Sequence, residues 1–303
     1  MKVLNIGSLN LDYVYRVDHF VQPGETLSAV SQTVNPGGKG LNQSIALARA
    51  GAEVYHAGCI GTSGESLKKL LQENGVDTTY LFPTDELQGN AVIQVIPSGE
   101  NCILLFGGSN QCITSGQIDK TLEAFSSGDW LVLQNEVNDL PMIVEKAYEK
   151  GLKIVLNPSP YNDRLSAVDF GKLCWLLVNE VEAEQISGSA DPEDAWHVLH
   201  EAYPSLSVLV TLGSKGSVAF QNENGKIETA YQEAVRVRAV DTTAAGDTFT
   251  GFFIGALMDD IPLKECMRRA SMASALGVTR PGAAGSIPYR SEVETALADS
   301  NQK

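Results

Sequence analysis

Short apolar runs at residues 3–7, 54–58, 130–133, 153–156, 174–178 and 208–212 alternate with stretches of helical periodicity, and this alternation most constrains the fold. The helical stretches 40–50, 66–74 and 139–150 each stop at a glycine: Gly51, Gly75 and Gly151. Strand–helix–strand repetition implies right-handed crossovers and a mostly parallel sheet, hence an α/β fold. Ligands on such sheets bind beyond the carboxyl ends of the strands. Two regions break the pattern. Residues 11–17 with 29–34, and 91–97 with 101–106, read as antiparallel strands, the second pair joined at Ser98-Gly99-Glu100. They predict a small β-sheet lid, formed by about 11–36 and 89–107, on a single domain spanning 1–303.

The most informative segment is Asp241-Thr242-Thr243-Ala244-Ala245-Gly246-Asp247, followed by Thr248-Phe249-Thr250-Gly251 and an apolar helical run. Two carboxylates flank residues almost without side chains. The free amides of Ala245, Gly246 and Asp247 would face out of a helix start, where an anion can sit. Ala-Ala-Gly lets that anion approach the backbone. Asp247 is then placed to accept a proton beside the anion, the arrangement that phosphoryl transfer to a hydroxyl needs. The plainer reading is a helix capped by Thr243 with Asp247 complementing its dipole. Gly246 argues against capping alone, because glycine weakens a helix it merely continues.

Composition narrows the partners. A net charge of −15 disfavours nucleic acid and anionic membranes. It also means that a bound nucleotide needs local amides, a few basic residues and a divalent cation to offset repulsion. Five scattered cysteines without a Cys-x-x-Cys pair predict free thiols in a reducing cytoplasm. The chain opens on a strand-like run with no signal-peptide pattern, and no apolar run reaches the length of a membrane span.

Further constellations follow strands. Asn10 and Asp12 share a side if extended and could bind vicinal hydroxyls. Gly37-Gly38-Lys39-Gly40-Leu41-Asn42 opens a helix with glycines that allow close backbone approach, but the Walker pattern is absent. A hinge between lid and core is its plainer reading. Asn179-Glu180-Val181-Glu182 could organise a hydrated Mg²⁺ or simply start a helix. Thr211-Leu212-Gly213-Ser214-Lys215-Gly216 could hold phosphates or be a tight turn into a strand at 217–221. His197 and His200 lie one turn apart with no third ligand nearby, which favours a surface helix over a zinc site.

In this order and spacing, Asn10-x-Asp12, Gly37-Gly38-Lys39-Gly40-x-Asn42, Asn179-x-x-Glu182, Thr211-Leu212-Gly213 and Asp241 to Asp247 resemble the phosphofructokinase-B type of carbohydrate kinases. The resemblance covers 3–292 and implies a three-layer ribokinase-like fold. It implies ATP-dependent phosphorylation of a sugar hydroxymethyl group, ribose first, with Mg²⁺ and a monovalent cation such as K⁺. By resemblance, Asn10, Asp12, Gly38, Lys39, Gly40, Asn42 and Glu136 would hold the sugar. Asn179, Thr211, Gly213, Ser214, Lys215, Gly216 and Gly246 would lie along ATP. Glu182 would order the Mg²⁺ water shell. Asp247 would be the base, with Ala244, Ala245 and Gly246 as the anion hole. Asp241, Thr243, Gly277, Arg280, Gly282 and Ser286 would line the monovalent cation site. A homodimer through the lid is implied by analogy. Gly61-Thr62-Ser63-Gly64 departs from the family, which usually shows an acidic residue there. The alternatives are a kinase for another sugar or a nucleoside, and a catalytically silent sugar- or nucleotide-binding regulator.

Overall fold

The computed structural model describes residues 1–223 and 225–300. In chain order it opens with β1 (Lys2–Ile6), β2 (Asn10–Arg16), β3 (Ser31–Gly37), α1 (Lys39–Arg49), β4 (Glu53–Ile60), α2 (Glu65–Glu73), β5 (Asp77–Pro83), β6 (Asn90–Val95) and β7 (Asn101–Phe106). There follow α3 (Ser115–Leu122), β8 (Trp130–Gln134), α4 (Leu140–Glu149), β9 (Lys153–Asn157), β10 (Trp175–Asn179), α5 (Glu180–Ser187), α6 (Pro192–Ala202) and β11 (Ser207–Thr211). The chain continues through β12 (Ser217–Glu223), β13 (Lys226–Gln232), α7 (Ala245–Met258), α8 (Leu263–Val278) and α9 (Arg290–Ser300).

The large sheet has nine strands in the order β13-β12-β11-β10-β9-β8-β1-β4-β5. It is parallel from β11 to β5, and β12 and β13 add an antiparallel edge. The six apolar runs expected as strands all lie in it. Each central strand is apolar on both faces because helices cover both. On β1, Val3 packs with α1, α7 and α8, whereas Leu4 and Ile6 pack with α3 and α4 on the other side. The result is three layers around two cores.

The four remaining strands form a separate sheet in the order β3-β2-β6-β7. Its two antiparallel hairpins are the expected pairs, and they join through a parallel contact of β2 with β6. Asn10 begins β2 directly beyond the end of β1, so this sheet rises from the rim on which Glu136, Asn179 and Thr211 also sit, at or just beyond the ends of β8, β10 and β11.

Close approach at that rim requires glycine. Gly40 in the first turn of α1 lies so near β1 that a Cβ would overlap the Ser8 amide and the Gly7 backbone. Gly38 caps α1 with φ 95°, where glycine is favoured. The 61–64 turn is equally tight: side chains at Gly61 or Gly64 would collide with Gln88.

Candidate active site

α7 begins differently from a Ser/Thr-capped helix. Its N-cap is Ala244, in the left-handed region at φ 59°, not Thr243, whose hydroxyl instead donates to Asp241 Oδ1 at 2.6 Å. The Ala245 amide donates to Thr242 O at 3.2 Å, so that donor is engaged. The amides of Ala244, Gly246 and Asp247 have no partner among the described residues. They therefore remain available to an anion at the helix end.

Asp247 is 7% exposed and lies in the first turn. Its Oδ2 accepts from Asn42 Nδ2 at 3.0 Å and its Oδ1 from Gln43 Nε2 at 2.9 Å, both from α1. α1 and α7 can meet this closely because a Cβ at Gly251 would overlap Ala46. Asn42, implied as a sugar ligand, thus spends its amide on the carboxylate.

Asp247 lines a cavity of about 230 Å³ with Lys39, Asn157, Ser159, Asn179, Glu182, Thr211 and the Ala244–Ala245–Gly246 backbone. Asn179 and Glu182 cap α5 reciprocally: Asn179 Oδ1 accepts from the Glu182 amide at 2.8 Å, and Glu182 Oε2 accepts from the Asn179 amide at 3.1 Å. Glu182 Oε1 has no partner among the described residues, which suits it to a metal-bound water. Burial pulls the Lys39 ammonium toward neutrality, but Asp247, Glu136 and Glu182 outweigh it and hold its pKa above the ordinary lysine value. Lys39 is therefore a cation among three carboxylates.

A second, larger cavity of about 620 Å³ is lined by Asn10, Asn110, Gln111, Asn135, Glu136 and Arg164, with Leu105 and Phe106 from the small sheet. Glu136 lines this cavity and bonds to Lys39, which lines the first. Its Oε2 accepts from the Lys39 amide at 3.0 Å and from the Ser8 hydroxyl. Burial raises its pKa. Asp12 faces Gly37, where a Cβ would overlap its carboxyl, and burial with the field of Glu136 lifts its pKa to about 6. Asn10 Oδ1 accepts from Asn110 Nδ2 at 2.7 Å, a partner the motif reading did not include.

Other expected site residues lie apart from these cavities. Gly213, Ser214, Lys215 and Gly216 form a turn after β11, with Lys215 paired to Glu180 at 3.1 Å. The expected monovalent-cation residues gather behind the start of α7. Asp241 Oδ1 accepts from the Thr243 amide at 2.9 Å and Oδ2 from the Gly282 amide at 3.0 Å. Burial raises its pKa, but these donors prevail and hold it low. The Arg280 amide donates to Gly277 O at 3.0 Å, and a Cβ on Gly277 would lie 3.8 Å from Ser286 O. The Asp241 carboxylate and the Gly277 carbonyl are thus engaged by donors of this segment itself. His197 and His200 both lie against Trp196, and no cluster of three or more His, Cys, Asp or Glu residues suited to a metal occurs among the described residues.

Residues 1–290 match the pfkB family of carbohydrate kinases. The chain belongs to that family. Its relatives include a ribokinase of Haemophilus influenzae, 36% identical over 301 residues that cover 95% of each chain. Among solved structures, ribokinase from Cryptococcus neoformans in complex with ADP superposes with a TM-score of 0.84 at 34% identity, covering 98% of this chain and 99% of that one. Arabidopsis thaliana ribokinase complexed with ribose and ATP gives 0.83 at 27% identity, with 98% of both chains covered. As a pfkB carbohydrate kinase, the chain has the expected three-layer fold with its small separate sheet, and it is a phosphotransferase acting on a sugar alcohol group.

Proposed function

We propose that this pfkB kinase transfers the γ-phosphoryl group of ATP to the 5-hydroxymethyl group of ribose. The reading is supported by the ribokinases it resembles, and one observation carries the chemistry: a buried carboxylate, Asp247, lines a cavity beside the unpartnered amides of Ala244 and Gly246. Ribose occupies the larger cavity, against Asn10 and Glu136 and reaching to Asp12, beneath the small sheet acting as a lid. ATP lies along Asn179 and Thr211, with its γ-phosphate at the start of α7. The sugar hydroxyl oxygen attacks the γ-phosphorus as the bond to the β,γ-bridging oxygen breaks, and the hydroxyl proton passes to Asp247. The α7 amides and Lys39 stabilise charge on the transferring group. Mg²⁺, ordered through Glu182, supplies charge neutralisation for the phosphates when bound. Asp241, Thr243, Gly277, Arg280, Gly282 and Ser286 would hold a monovalent cation, which would add positive charge behind the start of α7.

The protein acts in the cytoplasm as a homodimer. The cytoplasmic reading rests on the five free cysteines. The dimer reading rests on the outer strand of the small sheet, where Ile103, Leu104, Leu105 and Phe106 are 49–71% exposed. The turn at 61–64 favours a second reading, a related sugar, since it lacks the family's acidic residue. ADP release measured with ribose, deoxyribose, fructose and adenosine decides between them. The highest kcat/KM is expected for ribose, and a higher value for another acceptor would reassign the substrate.

A further inference from the structure

Four central strands each carry a polar side chain at the site end of the face that α1 and α7 cover, next to apolar positions of the same face. They are Asn5 on β1, His56 on β4, Gln134 on β8 and Asn157 on β9. Register pairs Asn5 with His56 and Gln134 with Asn157 across neighbouring strands. Asn5, His56 and Gln134 are wholly buried, as are Gln43 and Ser44 on α1. Burying so many polar groups is costly unless they satisfy one another.

Most of their polar atoms do so, in one continuous path that ends on Asp247; Gln134 Oε1 and His56 Nε2 lie outside it. An ionised carboxylate only accepts, so Gln43 must turn Nε2 toward it. Gln43 Oε1 then accepts from Gln134 Nε2 at 2.7 Å, and the same nitrogen donates to Asn5 Oδ1 at 3.0 Å. That leaves Asn5 Nδ2 to donate to Gly40 O at 2.8 Å and Ser44 Oγ at 2.7 Å. Ser44 Oγ in turn lies 2.8 Å from His56 Nδ1. Gln43 Nε2 also reaches Asn157 Oδ1 at 3.3 Å, and Asn157 Nδ2 is tied to Leu177 O at 2.9 Å. Each amide's orientation is thereby set by the next.

We propose that Gln43 is a positioning residue for the base, and that Gln134 and Asn5 form the buried brace that keeps its amide aimed at Asp247. The inference rests on Asp247 as the base. With Asn42 on one carboxylate oxygen and Gln43 on the other, the carboxylate cannot rotate about its own axis, and the proton acceptor is aligned before the substrates arrive. Gln134 never touches Asp247; it acts by occupying Gln43 Oε1, so that a flipped amide would lose a bond and face oxygen to oxygen.

The test compares Gln43→Met, Gln134→Met, the double variant and Asp247→Asn, assayed with ribose and ATP for kcat, KM, pH profile and melting temperature. Gln43→Met is expected to lower kcat about 10- to 100-fold, with KM for both substrates within about threefold. The acidic limb of its kcat profile moves to higher pH, because removing a donor from a carboxylate makes protonation easier. Gln134→Met shows the same signature more weakly. The double variant is no slower than Gln43→Met alone, since both act through one hydrogen bond. Should Gln43→Met fail to fold, the kcat loss and limb shift of Gln134→Met decide the matter. Turnover within about threefold of wild type in both single variants, while Asp247→Asn is severely impaired, overturns the brace. Additive losses that track melting temperature, with the acidic limb unmoved, reduce it to a structural role and also overturn it. Normal turnover in Asp247→Asn removes the base assignment itself, a failure distinct from the other two.

Discussion

Asp12 shows how a candidate binding residue can work against the fold. Its carboxyl sits half-buried near Glu136, and its pKa is lifted from 3.8 to about 6. A raised carboxylate contributes stability that is fully present below the unfolded value and lost as pH rises through the folded one. Between pH 3.8 and 6 the folded protein therefore holds a proton that the unfolded chain has released. Asp12→Asn is expected to be more stable to denaturant than wild type above pH 6, by roughly 3 kcal/mol, with the gap closing below pH 4. The same variant should bind ribose more weakly, which calorimetry measures; unchanged affinity would take Asp12 out of the sugar site. As candidate site residues, Asn10, Asp12, Lys39 and Asp247 are legible in the sequence because glycine-rich turns and short polar motifs stand out after apolar strands. Gln43 was not, because it sits inside a motif that already accounts for its neighbours. The readable signal lay elsewhere, in single polar residues interrupting buried runs: Asn5 between Leu4 and Ile6, and His56 between Tyr55 and Ala57.

At the scale of elements, the start of α7 carries local backbone strain. Ala244 adopts φ 59°, which costs a residue with a Cβ about 1–2 kcal/mol. Glycine has no such penalty, although it gives up more entropy on folding. Ala244→Gly is expected to leave the melting temperature unchanged or raise it by a few degrees, with turnover retained, since the backbone amides keep their positions. A clear fall in melting temperature would show that the Ala244 methyl makes a contact worth more than the strain. The elements that escaped sequence reading share a physical cause. β13 is an edge strand of mostly polar residues with only Ala230 buried. α3 buries only Ile118, Thr121 and Leu122, and α9 only Val293 and Leu297. β5 has Thr78 and Leu81 as its buried positions, too sparse for a period to register. The strands of the central sheet were legible because burial on both faces makes them continuously apolar.

For the whole molecule, the sheet's carboxyl rim gathers the chemistry and the small sheet closes over part of it. β7 is exposed along its full length, with a row of large apolar side chains. An uncovered row of this kind on an edge strand is a liability that a second copy of the chain would remove. Leu104→Glu places a charge in the middle of that row. Analytical ultracentrifugation is expected to show a dimer for the wild type and a monomer for this variant, with the fold retained by circular dichroism. A wild-type monomer at micromolar concentration would contradict the dimer reading. The same rim explains how an acidic chain can take a nucleotide. Lys39 and the unpartnered amides at the start of α7 supply positive potential where the net charge of −15 does not.

The account stands or falls on Asp247 as the acceptor of the sugar's proton. The most direct measurement is ribose-dependent ADP release by wild type and Asp247→Asn, with ribose affinity measured on both. A general base typically contributes about 10²–10⁴ in rate. The variant is predicted to bind ribose with little change and to lose about that much in kcat. Turnover close to the wild-type value, with ribose still bound, would contradict it.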